Sequence, residues 1–287
     1  MLPYDKITWL HVEPTTNCNA HCPACMRNNN GFGVKPWLKL ESLATAKFSE
    51  TIERFPNLKT VQMCGTLGDP IASKHINELI SVCVDKKFEI RIHTNGSLKT
   101  TSWWRELAAQ LKEVEHAVIL GIDGLEGIHE LHRQGTSFVK IIENAQAFID
   151  AGGVAEWQFL LFAHNKHQVK DCLRLSRKMG FKKFYTRNSI RVPDPARNYL
   201  TGETYVIERV EEFKTLETQA VDEKIVLVED CMHLSLPSAY LSANGLVTSC
   251  CYMRDIPYED NDIDEEIPNN PREFCRITCG QSRNSVK

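Results

Sequence analysis

Strand and helix patterns alternate along the first two-thirds of this chain, which predicts an α/β fold built on a parallel sheet. Two further observations shape that expectation. A cysteine-rich loop follows the first strand, and beyond residue 191 the alternation stops and further cysteines gather toward the C-terminus. Strict alternation requires right-handed crossovers, so the strands run parallel with helices packed outside them. Periodicity leaves open whether such a sheet curls into a barrel or stays flat.

The elements follow in order. The apolar, β-branched run 7–12 is the first strand. Ala44, Phe48, Thr51, Ile52 and Phe55 recur at helical spacing and predict a helix over 41–54. A short apolar strand over 60–63 comes next, then a helix with Ile76, Leu79, Ile80, Cys83 and Val84 on one face. Phe88, Ile90 and Ile92 alternate with Glu89, Arg91 and His93 in a third strand, which ends at the turn dipeptide Asn95 and Gly96. A helix over 102–111, a strand over 117–122 and a long helix through Ile141, Ala145 and Phe148 come after it, and Gly152 and Gly153 close that helix. A strand over 155–162, a helix over 169–179 and a strand over 184–187 make six strands, the first five each followed by a helix.

A chain of 287 residues has room for one large domain and a small one. Its 42% hydrophobic and 25% charged residues are those of a globular chain with a real core. The net charge of −3 gives no electrostatic reason for a nucleic-acid partner. No apolar run reaches the roughly 18 residues of a membrane span, and the first residues lack a signal peptide's apolar core, so the expected location is the cytoplasm. Eleven cysteines in such a chain argue for metal ligation rather than disulfides. Cys83 and Cys172 fall on apolar helical faces and are expected as small core residues.

Cys18, Cys22 and Cys25 stand at the end of the first strand, where α/β folds place their chemistry. This spacing lets one loop wrap three thiolates around a single metal centre. A closed structural zinc site wants four protein ligands, whereas a cubane iron–sulfur cluster on three cysteines keeps one iron open. A zinc knuckle and three unrelated core cysteines are the alternatives. The pattern Cys-x3-Cys-x2-Cys after a first strand resembles the hallmark of the radical S-adenosylmethionine (radical SAM) enzymes. That resemblance implies a [4Fe-4S] cluster on Cys18, Cys22 and Cys25, with S-adenosylmethionine chelating its open iron. It further implies reductive cleavage to methionine and a 5′-deoxyadenosyl radical that abstracts hydrogen from a substrate. The fold it implies is a six-stranded parallel partial (β/α)6 barrel whose open side admits a larger substrate.

The later strand ends carry the resemblance further. Cys64 is followed by a glycine-rich loop with Gly65, Gly68, Asp69 and Pro70, which can bring bare backbone close to a ligand. It is similar to the family's Gly-Gly-Glu-Pro motif, which holds the methionyl amino group, with an aspartate and a leucine as departures. Thr94, Asn95 and Gly96 resemble the family's turn on the adenosine side of the cofactor. Gly121, Ile122, Asp123 and Gly124 resemble the family's Ser-Ile-Asp-Gly segment, with glycine in place of serine. The resemblance assigns Asp123 to the cofactor site and the downstream Arg133 to the cofactor carboxylate, which a guanidinium grips in bidentate fashion. His93, His129 and His132 are expected as turn or solvent-facing histidines.

Past Arg191 a linker and a helix over 204–216 are expected, the helix showing Val206, Ile207, Val210 and Phe213 on one face. A short strand over 224–228 then leads to Cys231. Asn244 and Gly245 mark a hairpin that returns Cys250 beside Cys231, and Cys275 and Cys279 complete four cysteines. This order resembles the twitch domain, a shortened relative of the SPASM domain, and implies a second [4Fe-4S] cluster on Cys231, Cys250, Cys275 and Cys279. Zinc is the alternative metal there. The expected division is a radical SAM domain over 1–192, a linker and helix over 193–223, and an auxiliary-cluster domain over 224–287. The acidic segment 255–266 is expected as a solvated loop, with a dock for a basic substrate as its functional version.

The resulting expectation is a radical SAM oxidoreductase acting on a small molecule or peptide. The second cluster would accept an electron, and flavodoxin or ferredoxin would supply the reductant. No separate peptide-recognition domain is evident, which disfavours the peptide maturases. Within the family, a peptide maturase or an epimerase is the alternative, with Cys251 or Cys64 as hydrogen donor. A non-catalytic metal-binding or electron-transfer protein is the alternative from another class. Cys251 and Asp123 are the candidate catalytic groups.

Overall fold

The computed structural model of the chain describes residues 3–189, 195–210 and 237–248. Six strands run parallel in sequence order: β1 (Trp9–Val12), β2 (Thr60–Cys64), β3 (Glu89–Thr94), β4 (His116–Gly121), β5 (Ala155–Leu161) and β6 (Lys183–Asn188). Between them lie α1 (Thr45–Ile52), α2 (Ile76–Asp85), α3 (Thr101–Leu111), the short α4 (His129–His132), α5 (Phe138–Asp150) and α6 (Val169–Met179). The sheet does not close, since β1 and β6 are not neighbours, and the alternation therefore builds the expected partial barrel.

Local sequence explains where the helices begin and end. Thr100 and Ser137 cap α3 and α5 by accepting bonds from the Trp103 and Lys140 N–H groups. Gly180, at φ +90°, ends α6 in the left-handed conformation that glycine adopts without a Cβ penalty. The first helix begins at Thr45 instead of residue 41, because the preceding residues serve as an extended strap. The Thr16 N–H donates to the Glu41 carbonyl, and the Leu43 N–H donates to the Pro14 carbonyl.

Strand alternation divides the sheet's two faces chemically. Leu10, Val12, Val61, Met63, Ile90, Ile92, Val118, Leu120, Trp157 and Phe159 enter one apolar core with residues of the helices, among them Phe48, Leu79, Trp104 and Phe148. Cys83 and Cys172 are wholly buried in that core, as their helical positions predict. The intervening residues, including His11, Gln62, Arg91, His93, Gln158 and Arg187, line the concave inner face. That face is polar. Among the described residues no helix is long and apolar enough to cross a membrane.

Two expectations are corrected. Residues 204–210 are not helical: Thr204–Tyr205 form β8, paired antiparallel with β7 (Ala196–Arg197). The run Thr204, Tyr205, Val206, Ile207 is β-branched and aromatic, and it alternates, with Ile207 buried against Phe162 and Ala196 while Val206 is exposed. The hairpin at Asn244 and Gly245 does form, as β9 (Ser238–Leu241) and β10 (Val247–Thr248), but it joins the main sheet. β9 pairs parallel with β1 and β10 lies outside it, giving eight strands in one sheet. The expected strand over 224–228 lies outside the described residues.

Candidate active site

The loop bearing Cys18, Cys22 and Cys25 leaves the C-terminal end of β1 and is held from both sides. The Arg27 Nε donates to the Thr16 carbonyl at 3.2 Å, and the Asn28 Nδ2 donates to the Cys22 carbonyl at 3.0 Å. From across the sheet, the His21 N–H donates to the Gln134 carbonyl at 2.7 Å. All three cysteines are free thiols, with Cys22 buried and the other two partly exposed. Burial, and then Asp69 nearby, raises the Cys18 thiol well above its ordinary value. Burial pushes Cys22 up to about 12, against the opposing charge of Arg133. Bound metal reverses this preference by deprotonating a coordinating thiol.

Three thiols from one loop match the donor set of a cubane. Among the described residues, no three His, Cys, Asp or Glu side chains converge on a single ion. A cubane does not ask for that, since each thiolate takes its own iron.

The loop after β2 packs directly under the cysteine loop. A Cβ on Gly68 would stand 2.0 Å from the Thr15 carbonyl oxygen, and one on Gly65 would stand 1.7 Å from the Gly68 oxygen. Only glycine permits this approach of backbone to backbone. Glu13 secures the loop: its Oε1 accepts from the Leu67 and Gly68 N–H groups at 2.7 and 2.9 Å, and its Oε2 accepts from the Tyr240 hydroxyl at 2.5 Å. Pro70 opens a single 3-10 turn over Pro70–Ala72.

Asp69, buried at the end of this loop, is fully engaged by protein donors. Its carboxylate accepts from the Ile71 N–H at 3.0 Å, the Thr94 hydroxyl at 2.9 Å and the Asn95 N–H at 2.7 Å. Asn95 in turn donates its Nδ2 to Asn19 Oδ1 at 2.9 Å and lies 3.8 Å from Cys18 Sγ. Asp69, Thr94, Asn95 and Cys18 thus form one connected chain from the second loop to the cysteine loop.

The fourth strand contributes a buried charge network. Asp123 Oδ2 accepts from Arg133 Nε at 2.6 Å and from His132 Nδ1 at 2.9 Å, while Oδ1 accepts from the Leu160 N–H at 2.8 Å. Burial alone would raise the Asp123 carboxyl, but the Arg133 charge and the His132 bond hold it well below the usual carboxylate range. Arg133 is therefore neither a surface ion pair nor free. Its guanidinium lies against Gly121, near Cys22 and Cys25.

The histidine expectations are corrected. His129 and His132 are buried, because α4 folds them back under Asp123; the Asp123 N–H donates to His129 Nδ1 at 3.1 Å. Burial holds His129 near 4 and keeps His132 below its ordinary value. His93 lies on the inner face of the sheet and is pushed down to about 3 by burial and by the Arg187 charge, with Gln158 bonded to it. Several positioning residues escaped the sequence reading: Glu13, Asn19 and Gln134. Asn165 Nδ2 donates to the Asp123 and Leu160 carbonyls, both at 2.9 Å. Asn19 could have been found, since it lies between two of the cysteines.

A cavity of about 360 Å³ opens between residues 37–41 and the β9–β10 turn, lined by Glu13, Trp37, Leu67 and Tyr240 among others, with none of the three cysteines in its wall. Cys231, Cys250, Cys251, Cys275, Cys279 and the acidic segment 255–266 lie outside the described residues.

Comparison with known proteins gives a consistent result. A sequence model described as the radical SAM superfamily matches residues 12–162, more than half of the chain. Among solved structures, Streptococcus suis SuiB bound to S-adenosylmethionine is 15% identical, with a TM-score of 0.63 over 98% of this chain and 70% of that one. SuiB bound to the precursor peptide SuiA gives a TM-score of 0.61 at 13% identity, over 87% of this chain and 60% of that chain. A curated relative from Pyrococcus furiosus, the tungsten-containing aldehyde ferredoxin oxidoreductase cofactor-modifying protein, is 27% identical over 104 residues. That match spans 35% of this chain and 27% of the relative's length.

Proposed function

The chain belongs to the radical SAM superfamily, and from that premise we propose that it is an oxidoreductase that takes hydrogen from a small-molecule or peptide substrate. The observation that carries the proposal is the convergence, at one end of the sheet, of three free thiols with the Thr94 and Asn95 turn and with Arg133.

Cys18, Cys22 and Cys25 would hold a [4Fe-4S] cluster, and Gly65, Gly68, Pro70, Thr94, Asn95 and Arg133 would hold S-adenosylmethionine beside it. When bound together, cluster and cofactor supply a carbon radical able to take a hydrogen atom from a C–H bond. Asp69 acts by fixing the Thr94 and Asn95 turn, since its own oxygens are occupied by protein donors. Asp123 acts in the same manner on Arg133, engaging Nε and leaving Nη1 for a carboxylate. Cys231, Cys250, Cys275 and Cys279 are the proposed ligands of a second [4Fe-4S] cluster, with zinc as the alternative, and a redox-active metal there fits a net oxidation of substrate. Flavodoxin or ferredoxin is the proposed reductant.

A peptide substrate is the second reading, favoured by the fold shared with SuiB, whose structure holds a precursor peptide. The test is anaerobic reconstitution with iron and sulfide, followed by iron counting and a dithionite assay for 5′-deoxyadenosine. About eight irons per chain, about four in the Cys18/Cys22/Cys25 triple alanine variant, and nucleoside from the wild type alone are expected for two cubanes. Absence of nucleoside from the wild type overturns the proposal.

A further inference from the structure

We propose that Arg187 is the anion-binding subsite of the substrate cavity, a guanidinium on the inner face of β6 placed to receive a carboxylate of the substrate. The inference rests on the reading above in one respect: the substrate enters the concave face of the partial barrel.

Arg187 pairs with Leu160 in the β5–β6 register, one residue before the end of β6, and so lies at the same end of the sheet as the cysteine loop. Phe184 on the same strand packs on the helix side, its ring 5.9 Å from Trp157 and 6.2 Å from Phe159. Alternation therefore turns Tyr185 and Arg187 to the inner face. The charge of Arg187 acts on Tyr185 beside it, on His93 in β3 and on Cys64 at the end of β2. β2 and β6 are separated by three strands in the sheet, so only its curvature brings these residues together around one lumen.

Among the described residues, the acids of the inner face and of the neighbouring loops are committed elsewhere. Glu156 pairs with Arg91 at 3.1 Å and with Lys183 at 3.3 Å. Glu89 meets Arg91 and accepts from the Thr60 hydroxyl, and Glu13, Asp69 and Asp123 hold the loops described above. Arg187 Nε is buried with no hydrogen-bond partner, and among the described residues no carboxylate pairs with its guanidinium. Arg187 is partly buried, and a guanidinium nitrogen shut off from water without a partner is unfavourable; folded chains keep such local conflicts mainly at functional sites. The planar fork of arginine suits a carboxylate, and neutral His93, Gln158 and Tyr185 supply further hydrogen-bonding groups around it.

The test uses the reconstituted protein with potassium acetate as probe, against potassium chloride at equal ionic strength. Acetate should raise the wild-type Tm in a saturable manner, by about 2 °C at ten times its dissociation constant. Arg187→Met should abolish that rise, and Arg187→Lys should keep part of it. In chloride alone the methionine variant should melt no lower than the wild type, because it removes a buried guanidinium nitrogen that has no hydrogen-bond partner. Its affinity for S-adenosylmethionine should match that of the wild type. An equal or absent acetate effect in wild type and Arg187→Met overturns the proposal, as does a Tm loss of several degrees in chloride. Weaker S-adenosylmethionine binding by Arg187→Met overturns it too, since the anion would then be the cofactor's own carboxylate. Failure of the reconstituted wild type to form 5′-deoxyadenosine removes the radical SAM reading and leaves the acetate result standing.

Discussion

A Cβ on Gly121 would stand 2.8 Å from Arg133 Nη2, so the glycine at the end of β4 is the space in which this guanidinium lies. The atom that would be struck is the far end of a flexible side chain, which separates site geometry from stability. Gly121→Ala should leave Tm within about 2 °C of the wild type and weaken S-adenosylmethionine binding about tenfold, or about 1.4 kcal/mol. Equilibrium dialysis on the reconstituted protein measures the second quantity. Unchanged binding would detach Arg133 from the cofactor.

Gly68 faces the opposite situation. Its Cβ would meet the Thr15 carbonyl, a backbone atom that cannot swing away. Gly68→Ala should cost about 1–3 kcal/mol as two backbones are forced apart, read as a lower urea midpoint, with reduced iron loading because the cysteine loop rests on this contact.

Asp123 gives a pH signature with a definite sign. Its folded-state carboxyl is held below its unfolded value by Arg133 and His132 despite burial. The stabilisation is therefore complete above the unfolded carboxyl range of about 4 and is lost as pH falls through the folded value. Asp123→Asn should destabilise by about 3–5 kcal/mol at pH 7, because it leaves Arg133 buried without its partner. It should also flatten the acid limb of a Tm-against-pH curve below about pH 4.

The buried histidines act at higher pH. Burial keeps His11 and His129 neutral down to about 4 and His93 down to about 3. In the unfolded chain they bind protons from about pH 6.5 downward, so each removes up to about 1.4 kcal/mol of stability per pH unit below that point. Urea midpoints should fall between pH 7 and pH 5, and His11→Gln should reduce the slope.

Cysteines in the core and in the loop should part cleanly by iron content. Cys83→Ala should leave the iron count unchanged and cost about 1–2 kcal/mol as a small buried group is lost. Cys22→Ala should lower the iron count by about four.

The sequence makes the parallel sheet legible because each crossover writes two periods, and Ile90 and Ile92 set against Arg91 and His93 even assign the two faces of β3. The cysteine spacing and the Thr94 and Asn95 turn are equally local and equally readable. What escapes is pairing between distant residues. His129 and His132 look like an exposed turn in sequence, and Asp123 and Arg133 read as separate cofactor contacts, since nothing local reports that α4 folds back under β4. Nor does any pattern announce that Arg187 has no carboxylate partner among the described residues, because its surroundings come from β2, β3 and β5. At 204–207 the helical pattern fails because Val206 and Ile207, which a helix would set on one face, lie on opposite faces of the chain, one exposed and the other buried.

The parallel pairing of β9 with β1 has a consequence for biosynthesis. The strand that launches the cysteine loop gains its outer neighbour only from residues more than two hundred positions later, Trp9 meeting Ser238 and Val12 meeting Leu241. While the chain emerges from the ribosome, β2 can cover one side of β1, but the other side presents unpaired backbone groups until residue 241 has been made. Exposed strand edges of this kind template association with other chains. Truncation before residue 237 should therefore yield an aggregation-prone product even though all six crossover strands are present, and early metal loading of the nascent loop would precede the sealing of its own strand.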